Sequence, residues 1–429
     1  MFPHRWHIRL NTWQSLVFSF LILIAVGTIL LMMPWVEHSK GLGWLDALFT
    51  STSAVCVTGL TVVPTSGFNL WGQLSILLLI QLGALGIMTL TSSFLLAMKG
   101  RLSLRHRMSF SHLSENYNLY DTTYVLKNIL KITFITELAG FLFLALGFHR
   151  QGLAWGDALY QGLFHSVSAF CNAGFSPYDD SLTGTHWLVK ITTAFLIITG
   201  GLGYFVIIEL MTRRQRQKLS IHSRIVLITT TALVLGGTLL VYLFEKGQIS
   251  GLDAFFQSVT TRTAGFNTVD LNALHGTTIF LFLILMFIGA SPGSTGGGIK
   301  TTNFFIMIYT VLSVLKGKQE VVYHNRTIST RTILKAFATT ISYFIILSAG
   351  TLLLMDLQEF GLKESLFEAV SAMGTVGLSL GITPLLGAGG KWVIIILMFV
   401  GRLGPASFAL AVSARRKEIK IQYPEAEIY

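Results

Sequence analysis

Apolar residues run in long stretches along this chain, at 14–33, 73–98, 125–148, 187–211, 225–244, 277–315, 333–355 and 391–414, with polar connections between them. A helix that crosses the roughly 30 Å hydrocarbon core of a bilayer needs about 20 mainly apolar residues. Eight spanning helices are therefore predicted. No small-residue cleavage site follows the first stretch, which ends in Met32-Met33-Pro34-Trp35. That ending reads as an interfacial stop, so the segment is expected to stay in the mature protein.

Composition agrees with a chain solvated by lipid. Of 429 residues, 52% are hydrophobic and only 12% charged, against about 25% charged in soluble domains. This excludes an ordinary soluble enzyme and a disordered chain. Eight spans leave both termini on one side, and the segments of that side (1–12, 99–127, 213–224, 313–335 and 415–429) hold 21 Lys and Arg against six acids. The alternate connections hold seven basic and twelve acidic residues. Excess positive charge marks the cytoplasmic face, so both termini are expected in the cytoplasm. The net charge of +11 thus reports orientation, and no nucleic-acid role is expected, since that would gather basic residues on one folded face. Cys56 and Cys171 form neither a CxxC pair nor a metal-ligand cluster.

The four outer connections repeat one pattern. They read DALFTSTSAVCVTGLTVV from Asp46, DALYQGLFHSVSAFCNAGFSPYD from Asp157, LDAFFQSVTTRTAGFNTVD from Leu252 and LFEAVSAMGTVGLSLGIT from Leu366. An aromatic precedes a glycine by ten residues in each: Phe49 and Gly59, Phe164 and Gly174, Phe255 and Gly265, Phe367 and Gly377. A bulky apolar residue follows every glycine (Leu60, Phe175, Phe266, Leu378). About ten helical residues rise only about 15 Å, too little to cross, so each short helix must enter the membrane and return. Non-helical backbone at that depth is tolerated only where it is buried in protein or lines a watery cavity. Plain surface turns would carry the glycine but not the apolar run before it. The predicted fold class is an all-α polytopic membrane protein: four tandem helix–pore helix–helix repeats, eight spanning helices plus four re-entrant pore helices, around a central pore.

Rings of backbone carbonyls select dehydrated cations. The candidate filter backbone is Val57, Thr58 and Gly59; Asn172, Ala173 and Gly174; Thr263, Ala264 and Gly265; and Thr375, Val376 and Gly377. No acidic side chain lies in it, which argues against calcium or magnesium, and no basic ring suggests an anion pore. Arg262 precedes the third segment. It is expected to sit behind the filter, paired or bonded to carbonyls, or to tune the outer mouth. Cys56 and Cys171 hold matching positions three before their glycines and read as small packing residues.

Within 277–315 the apolar pattern is interrupted by Gly289, Ala290, Ser291, Pro292, Gly293, Ser294, Thr295, Gly296, Gly297, Gly298, Ile299, Lys300, Thr301 and Thr302. Pro292 removes a donor and the glycines carry high backbone entropy, so the helix should break there into two halves joined by a mobile loop beneath the filter. Gly293 and Gly298 have the spacing of GxxxxGK[ST], but Ile299 follows and Lys300 comes one place late; the apolar flanks also deny a nucleotide loop its strand and helix. The loop is expected to act as an intramembrane gate. Arg402, in VGRLGP of the last span, is costly there unless paired or hydrated; it is expected either to brake cation flow or to bond the loop. Glu137 and Glu209 read as packing or interfacial partners of basic residues, or else as a proton relay.

At VCVTGL, FCNAGFSPYD, TRTAGFNTVD, GTVGLS and SPGSTGGGIKTT the sequence resembles the Ktr, Trk and HKT superfamily of potassium transporters, above all the bacterial KtrB membrane subunit, over nearly its whole length. The resemblance implies that glycine in all four filter positions goes with potassium selectivity, while departure from the TVGYG of tetrameric channels implies fewer tight ion sites. It implies an arginine at the place of Arg402 just inside the filter, a homodimer with the C-terminal end in its interface, and a cytosolic ring of KtrA-type subunits. Nucleotide, ATP or ADP, would bind only on that partner; the sole cofactor of this chain would be the potassium ion. Basic loops are expected to meet the ring, anionic membrane lipids, or both. The chain then divides into a cytoplasmic N-terminus (1–12), repeat one (13–98), a loop (99–124), repeat two (125–212), a loop (213–224), repeat three (225–315) with its gating loop (289–302), a loop (316–332), repeat four (333–414) and a cytoplasmic tail (415–429). The expected function is potassium uptake through a channel-like pore; a proton- or sodium-coupled symporter with alternating access is the alternative. No HExxH motif or nucleophile and base arrangement points to an enzyme.

Overall fold

The computed structural model describes residues 12–39, 41–100, 122–212 and 218–405. The C-terminal tail 415–429, nearly all of the N-terminal segment 1–12, most of the loop 99–124 and part of the loop 213–224 lie outside the described residues. Fourteen helices are described: α1 (Thr12–Leu31), α2 (Trp44–Val55), α3 (Leu70–Gly100), α4 (Thr122–Arg150), α5 (Trp155–Phe170), α6 (Trp187–Leu202), α7 (Tyr204–Thr212), α8 (Ile221–Phe244), α9 (Gly251–Thr260), α10 (Gly276–Phe287), α11 (Thr301–Leu315), α12 (Thr330–Gln358), α13 (Leu362–Gly374) and α14 (Ala388–Leu403). A two-stranded antiparallel hairpin, Val322–Tyr323 with Arg326–Thr327, joins α11 to α12.

Among the described residues, four helices are long and apolar enough to cross a bilayer: Gln14–Leu31, Leu126–Arg150, Ile221–Phe244 and Thr330–Gln358. Their outer faces expose Phe18 and Ile22, Phe134 and Leu138, Leu235 and Leu239, and Ile341 and Ile345. Spacings of four residues align each pair on one helix face, and continuous apolar faces of this extent have no place in water. The molecule is an all-α, membrane-embedded protein.

The helices that follow are less regular than eight unbroken spans. The expected span 187–211 is two helices, α6 and α7, bent by 99° at Gly203, whose φ is +86. The reason is local: Gly200, Gly201 and Gly203 sit in one stretch, and Gly203 adopts a left-handed conformation that no helix continues through. Between α10 and α11 the chain leaves helix from Ile288 to Lys300, and α14 ends at Leu403 before Gly404, φ +81.

Short helices α2, α5, α9 and α13 pack between long ones. Three of them dock on the first helix of their unit at a glycine: a Cβ on Gly27 would meet Ser51 Oγ, one on Gly140 would lie 2.8 Å from Ser166 Oγ, and one on Gly237 would meet Ser258 Oγ. Those three hydroxyls donate to the carbonyls of Ile24, Glu137 and Val234, so close approach and a hydrogen bond replace bulk packing. In the fourth unit Ala369 holds the serine's place, and Leu397 packs on Gly350 instead.

Contacts between units run in a cycle. Helix α3 packs on α5, α6 on α9, α10 on α13, and α14 returns to α2. Polar ties follow the same order. Tyr160 donates to Gln73, Lys190 pairs with Asp253 at 2.6 Å, and Lys391 pairs with Asp46 at 2.5 Å, joining the last helix to the first short one.

Candidate functional site

The four short helices end on one another. Ring glycines Gly59, Gly174, Gly265 and Gly377 have φ of +95, +70, +80 and +93, a region open to glycine and costly to other residues. A Cβ on Gly59 would strike the Ala173 carbonyl and lie 3.2 Å from Gly174 Cα; one on Gly174 would meet the Ala264 carbonyl and lie 3.0 Å from Gly265 Cα. From Gly265 the same construction reaches the Val376 carbonyl and Gly377 Cα at 3.1 Å, and from Gly377 the Thr58 carbonyl and Gly59 Cα at 3.0 Å. The four segments thus close a ring in the order one, two, three, four, one, with the carbonyls of Thr58, Ala173, Ala264 and Val376 on it.

Two residues before each glycine the backbone is left-handed again, at Val57 (+55), Asn172 (+60), Thr263 (+84) and Thr375 (+50). For β-branched residues such as Val57 and Thr375 this is a strained conformation, costing about 1–3 kcal/mol each. It is held by paired bonds at the helix C-termini: Val57 N to Ala54 O and Thr58 N to Ser53 O, Asn172 N to Ala169 O and Ala173 N to Ser168 O, Thr375 N to Ala372 O and Val376 N to Ser371 O. These are the 5→2 and 6→1 bonds of a Schellman cap. The third unit departs, because Ala264 N and Gly265 N both reach Thr260 O. Its helix ends one residue earlier, and its fully buried aromatic is Phe256, with Phe255 only partly covered. Phe255 stands ten residues before Gly265, but the aromatic fully packed into the core there is Phe256.

Serines six before the glycine brace three of the segments. Ser53 Oγ accepts from Gly59 N at 3.1 Å, Ser371 Oγ accepts from Gly377 N at 3.0 Å, and Ser168 Oγ donates to Phe175 O at 2.8 Å. All four helix C-termini converge here. A C-terminus carries about half a negative charge, so the ring and the space under it favour a cation without any carboxylate.

The stretch Gly289–Thr302 lies against this ring. Gly289 N bonds Ile299 O at 2.9 Å and Ala290 N bonds Gly297 O at 3.2 Å, while Ser291 N and Thr295 N bond the carbonyls of Gly201 and Gly200. Buried loop backbone is thereby satisfied, as it must be away from water. Toward the ring, Gly297 N donates to Thr375 Oγ1 at 2.9 Å, and Thr295 Oγ1 donates to Phe170 O at 3.2 Å. A Cβ on Gly296 would lie 2.9 Å from Thr263 Cβ. Lys300 Nζ folds back onto Gly296 O at 2.7 Å, and Thr301 Oγ1 donates to Ser291 Oγ at 2.9 Å. Tyr204 N bonds Gly293 O at 3.1 Å, fastening the loop to the break at Gly203. Ser294 Oγ closes a turn on Ser291 O, whereas Pro292, Gly298 and Thr302 carry no side-chain bond into the ring among the described residues.

Arg402 is buried and reaches two carbonyls, Thr295 O in the loop and Gly83 O of α3 at 3.1 Å. Arg262 keeps the expected place but not the expected bond at Nε. It is buried behind the third segment and lines a small cavity with Ile197, Ile198, Gly201, Thr230 and Val259, but its Nε meets no partner among the described residues. The Asn172 amide lies 3.0 Å from Thr263 Oγ1, the hydroxyl donating to its oxygen once the amide is turned to satisfy its neighbours. Glu137 is bound by Gln81 and Cys171, and Glu209 receives Ser220 N and Oγ at the start of α8. Glu137 thus takes the packing role expected of it, and among the described residues neither carboxylate makes an ion pair.

One set of residues escaped the sequence reading. Gly83, Gly200 and Gly401 each sit where a Cβ would strike the last carbonyls of their own unit's short helix, at Val55, Phe170 and Met373. The signal was present as GALG, GGLG and GRLG at 83–86, 200–203 and 401–404, which also aligns Arg402 with Ala84 and Gly201.

A lipid-embedded helical assembly whose buried centre is a closed ring of main-chain carbonyls belongs to the class of membrane transport proteins. The family model of TrkH, described as a cation transport protein, matches residues 5–419, and the chain belongs to that family; it is a transporter, not an enzyme. It is 36% identical to Ktr system potassium uptake protein B of Bacillus subtilis, covering 98% of this chain and 97% of that one. It is likewise 36% identical to the potassium/sodium uptake protein NtpJ of Enterococcus hirae, over 98% and 97%. The crystal structure of the potassium transporter TrkH from Vibrio parahaemolyticus has the same fold, with a TM-score of 0.78 at 19% identity over 96% of this chain and 87% of that one.

Proposed function

We propose that this protein carries potassium across the plasma membrane into the cell through a channel-like pore, as the membrane subunit of a Ktr-type system. The relatives' names, potassium uptake protein B of a Ktr system and potassium/sodium uptake protein, supply the ion. The single observation that carries the mechanism is the closed cycle of glycines Gly59, Gly174, Gly265 and Gly377. In this reading α1, α4, α8 and α12 are the first helices of four repeats, α2, α5, α9 and α13 are re-entrant pore helices, and the broken helices after them line the inner path.

A potassium ion gives up water to the carbonyls of the ring, which replace its hydration shell, and the four helix ends offset the loss of solvation. Left-handed backbone on both sides of Thr58, Ala173, Ala264 and Val376 holds the carbonyls in place before the ion arrives, so little reorganisation is needed. Beneath, the loop 289–302 fills the path through its bonds to Thr375, Phe170 and Arg402. The guanidinium of Arg402 adds a positive charge that opposes a cation there. Opening requires the loop to leave these partners for water.

The loop answers to a cytosolic, KtrA-type ring that binds ATP or ADP, docked on a homodimer of this chain whose termini face the cytoplasm; the Ktr name of the relative supports a regulatory partner. The test is the reversal potential of reconstituted vesicles under imposed potassium, sodium and pH gradients. Tracking potassium alone is the expected result, and a potential that follows sodium or pH at fixed ratio contradicts it in favour of coupled transport.

A further inference from the structure

Immediately after its fully buried phenylalanine (Phe49, Phe164, Phe256, Phe367), each short helix carries a polar residue: Thr50, His165, Gln257 and Glu368. All four are buried, in a protein where buried polar groups must find partners. Three of them face a hydroxyl eleven residues further on, past the ring glycine. His165 Nε2 lies 3.1 Å from Ser176 Oγ; since its Nδ1 must donate to Gln161 O at 2.9 Å, Nε2 is the acceptor and Ser176 the donor. Glu368 accepts from Ser379 Oγ at 2.9 Å and from Thr383 Oγ1. Gln257 Nε2 reaches Thr268 Oγ1 at 3.5 Å, the long end of a hydrogen bond. Thr50 Oγ1 has no partner among the described residues.

We propose that His165, Gln257 and Glu368 are positioning residues that fix the outgoing strands of the ring and thereby set its discrimination between potassium and sodium. Each strut ties the short helix to the strand just beyond the glycine, so the ring carbonyls are clamped from both sides: by the helix cap before them and by the strut after them. Discrimination by a carbonyl ring depends on the spacing and rigidity of its dipoles, and a strand free to yield can close on the smaller ion. The bracing is unequal. The second and fourth segments carry both a serine brace (Ser168, Ser371) and a strut, the first only Ser53, and the third has no serine brace, its Thr268 being held by the long bond of Gln257 and by the Asp253 carboxylate. Segments two and four are opposite one another in the cycle, so the most rigid pair faces across the ring.

The inference rests on the ring being the selective element, and its test separates the two. Relative sodium permeability is read from reversal potentials of the full chain in vesicles. Glu368→Gln and His165→Gln keep a hydrogen-bonding side chain of the kind the third unit uses; both stay within about twofold of the native ratio. Glu368→Leu and His165→Leu fill the space without the bond and raise sodium permeability about tenfold. Thr50→Val changes nothing, because no strut exists there. Where a leucine variant fails to assemble, Ser379→Ala and Ser176→Ala remove the same bonds from the strand side and decide the matter. If Gly377→Ser alters the ratio while leucine and alanine variants keep it, the struts are only structural and the proposal falls alone. If Gly377→Ser also keeps it, the ring itself is not the filter.

Discussion

Thr375 offers a clean way to loosen the loop without touching the ring's shape. Its hydroxyl accepts the Gly297 N–H at 2.9 Å, while its backbone sits at φ +50. Thr375→Val keeps the β-branch, and Val57 already occupies the matching place in the first unit at φ +55, so the fold tolerates valine there. What changes is one bond. With the loop in place the Gly297 amide is left buried without an acceptor, a cost of about 1–3 kcal/mol; with the loop withdrawn the same amide meets water and costs nothing. The balance therefore moves toward the open loop by about 5- to 140-fold, at 1.4 kcal/mol per factor of ten. Potassium uptake into vesicles holding this chain without any regulatory subunit reads the shift directly. A rise of that order with an unchanged potassium-to-sodium ratio is expected. Native uptake in a folded Thr375→Val protein refutes the gating role of the loop.

Arg402→Gln removes the guanidinium that reaches both Thr295 O and Gly83 O, so the loop is released and a positive charge leaves the path; unassisted uptake rises further than in Thr375→Val, measured in the same vesicles. Outside the membrane spans, burial pushes the Glu245 carboxyl up, but hydrogen bonds from Thr278 and His275 outweigh it and leave the group below its ordinary range. A depressed carboxyl contributes stability above its unfolded pKa and loses it as pH falls through the folded value. Thermal unfolding in detergent is thus expected to lose stability on acidification below about pH 4.5, and Glu245→Gln to be less stable at neutral pH with a flatter acid limb.

The sequence made the ring legible because its spacing is local: each glycine lies a fixed distance from a helix that must turn back, and four copies are hard to mistake. Side chains that pack between units were less visible. Gly27, Gly140 and Gly237 precede their serine partners by 21 to 26 residues, a separation that varies with loop length and leaves no period to find. The bend at Gly203 was hidden because 187–211 is predominantly apolar, and hydropathy alone does not register a glycine whose φ is positive. Phe255 and Phe256 are adjacent, and only the shorter third helix decides which one is buried. For Arg262 the cost of a buried charge led to an expected partner, yet a carbonyl close in sequence is of no use when the side chain points behind the strand into a cavity lined by α6 and α8.

The most direct measurement of the central claim is the sodium-to-potassium permeability ratio of Gly59→Ala, Gly174→Ala, Gly265→Ala and Gly377→Ala, one at a time. Each added Cβ has to displace the carbonyl of the next unit and sits on left-handed backbone costing about 1–2 kcal/mol more than glycine, so all four variants are predicted to lose potassium preference. A set in which assembled, conducting variants keep the native ratio at several of the four positions contradicts a shared carbonyl ring.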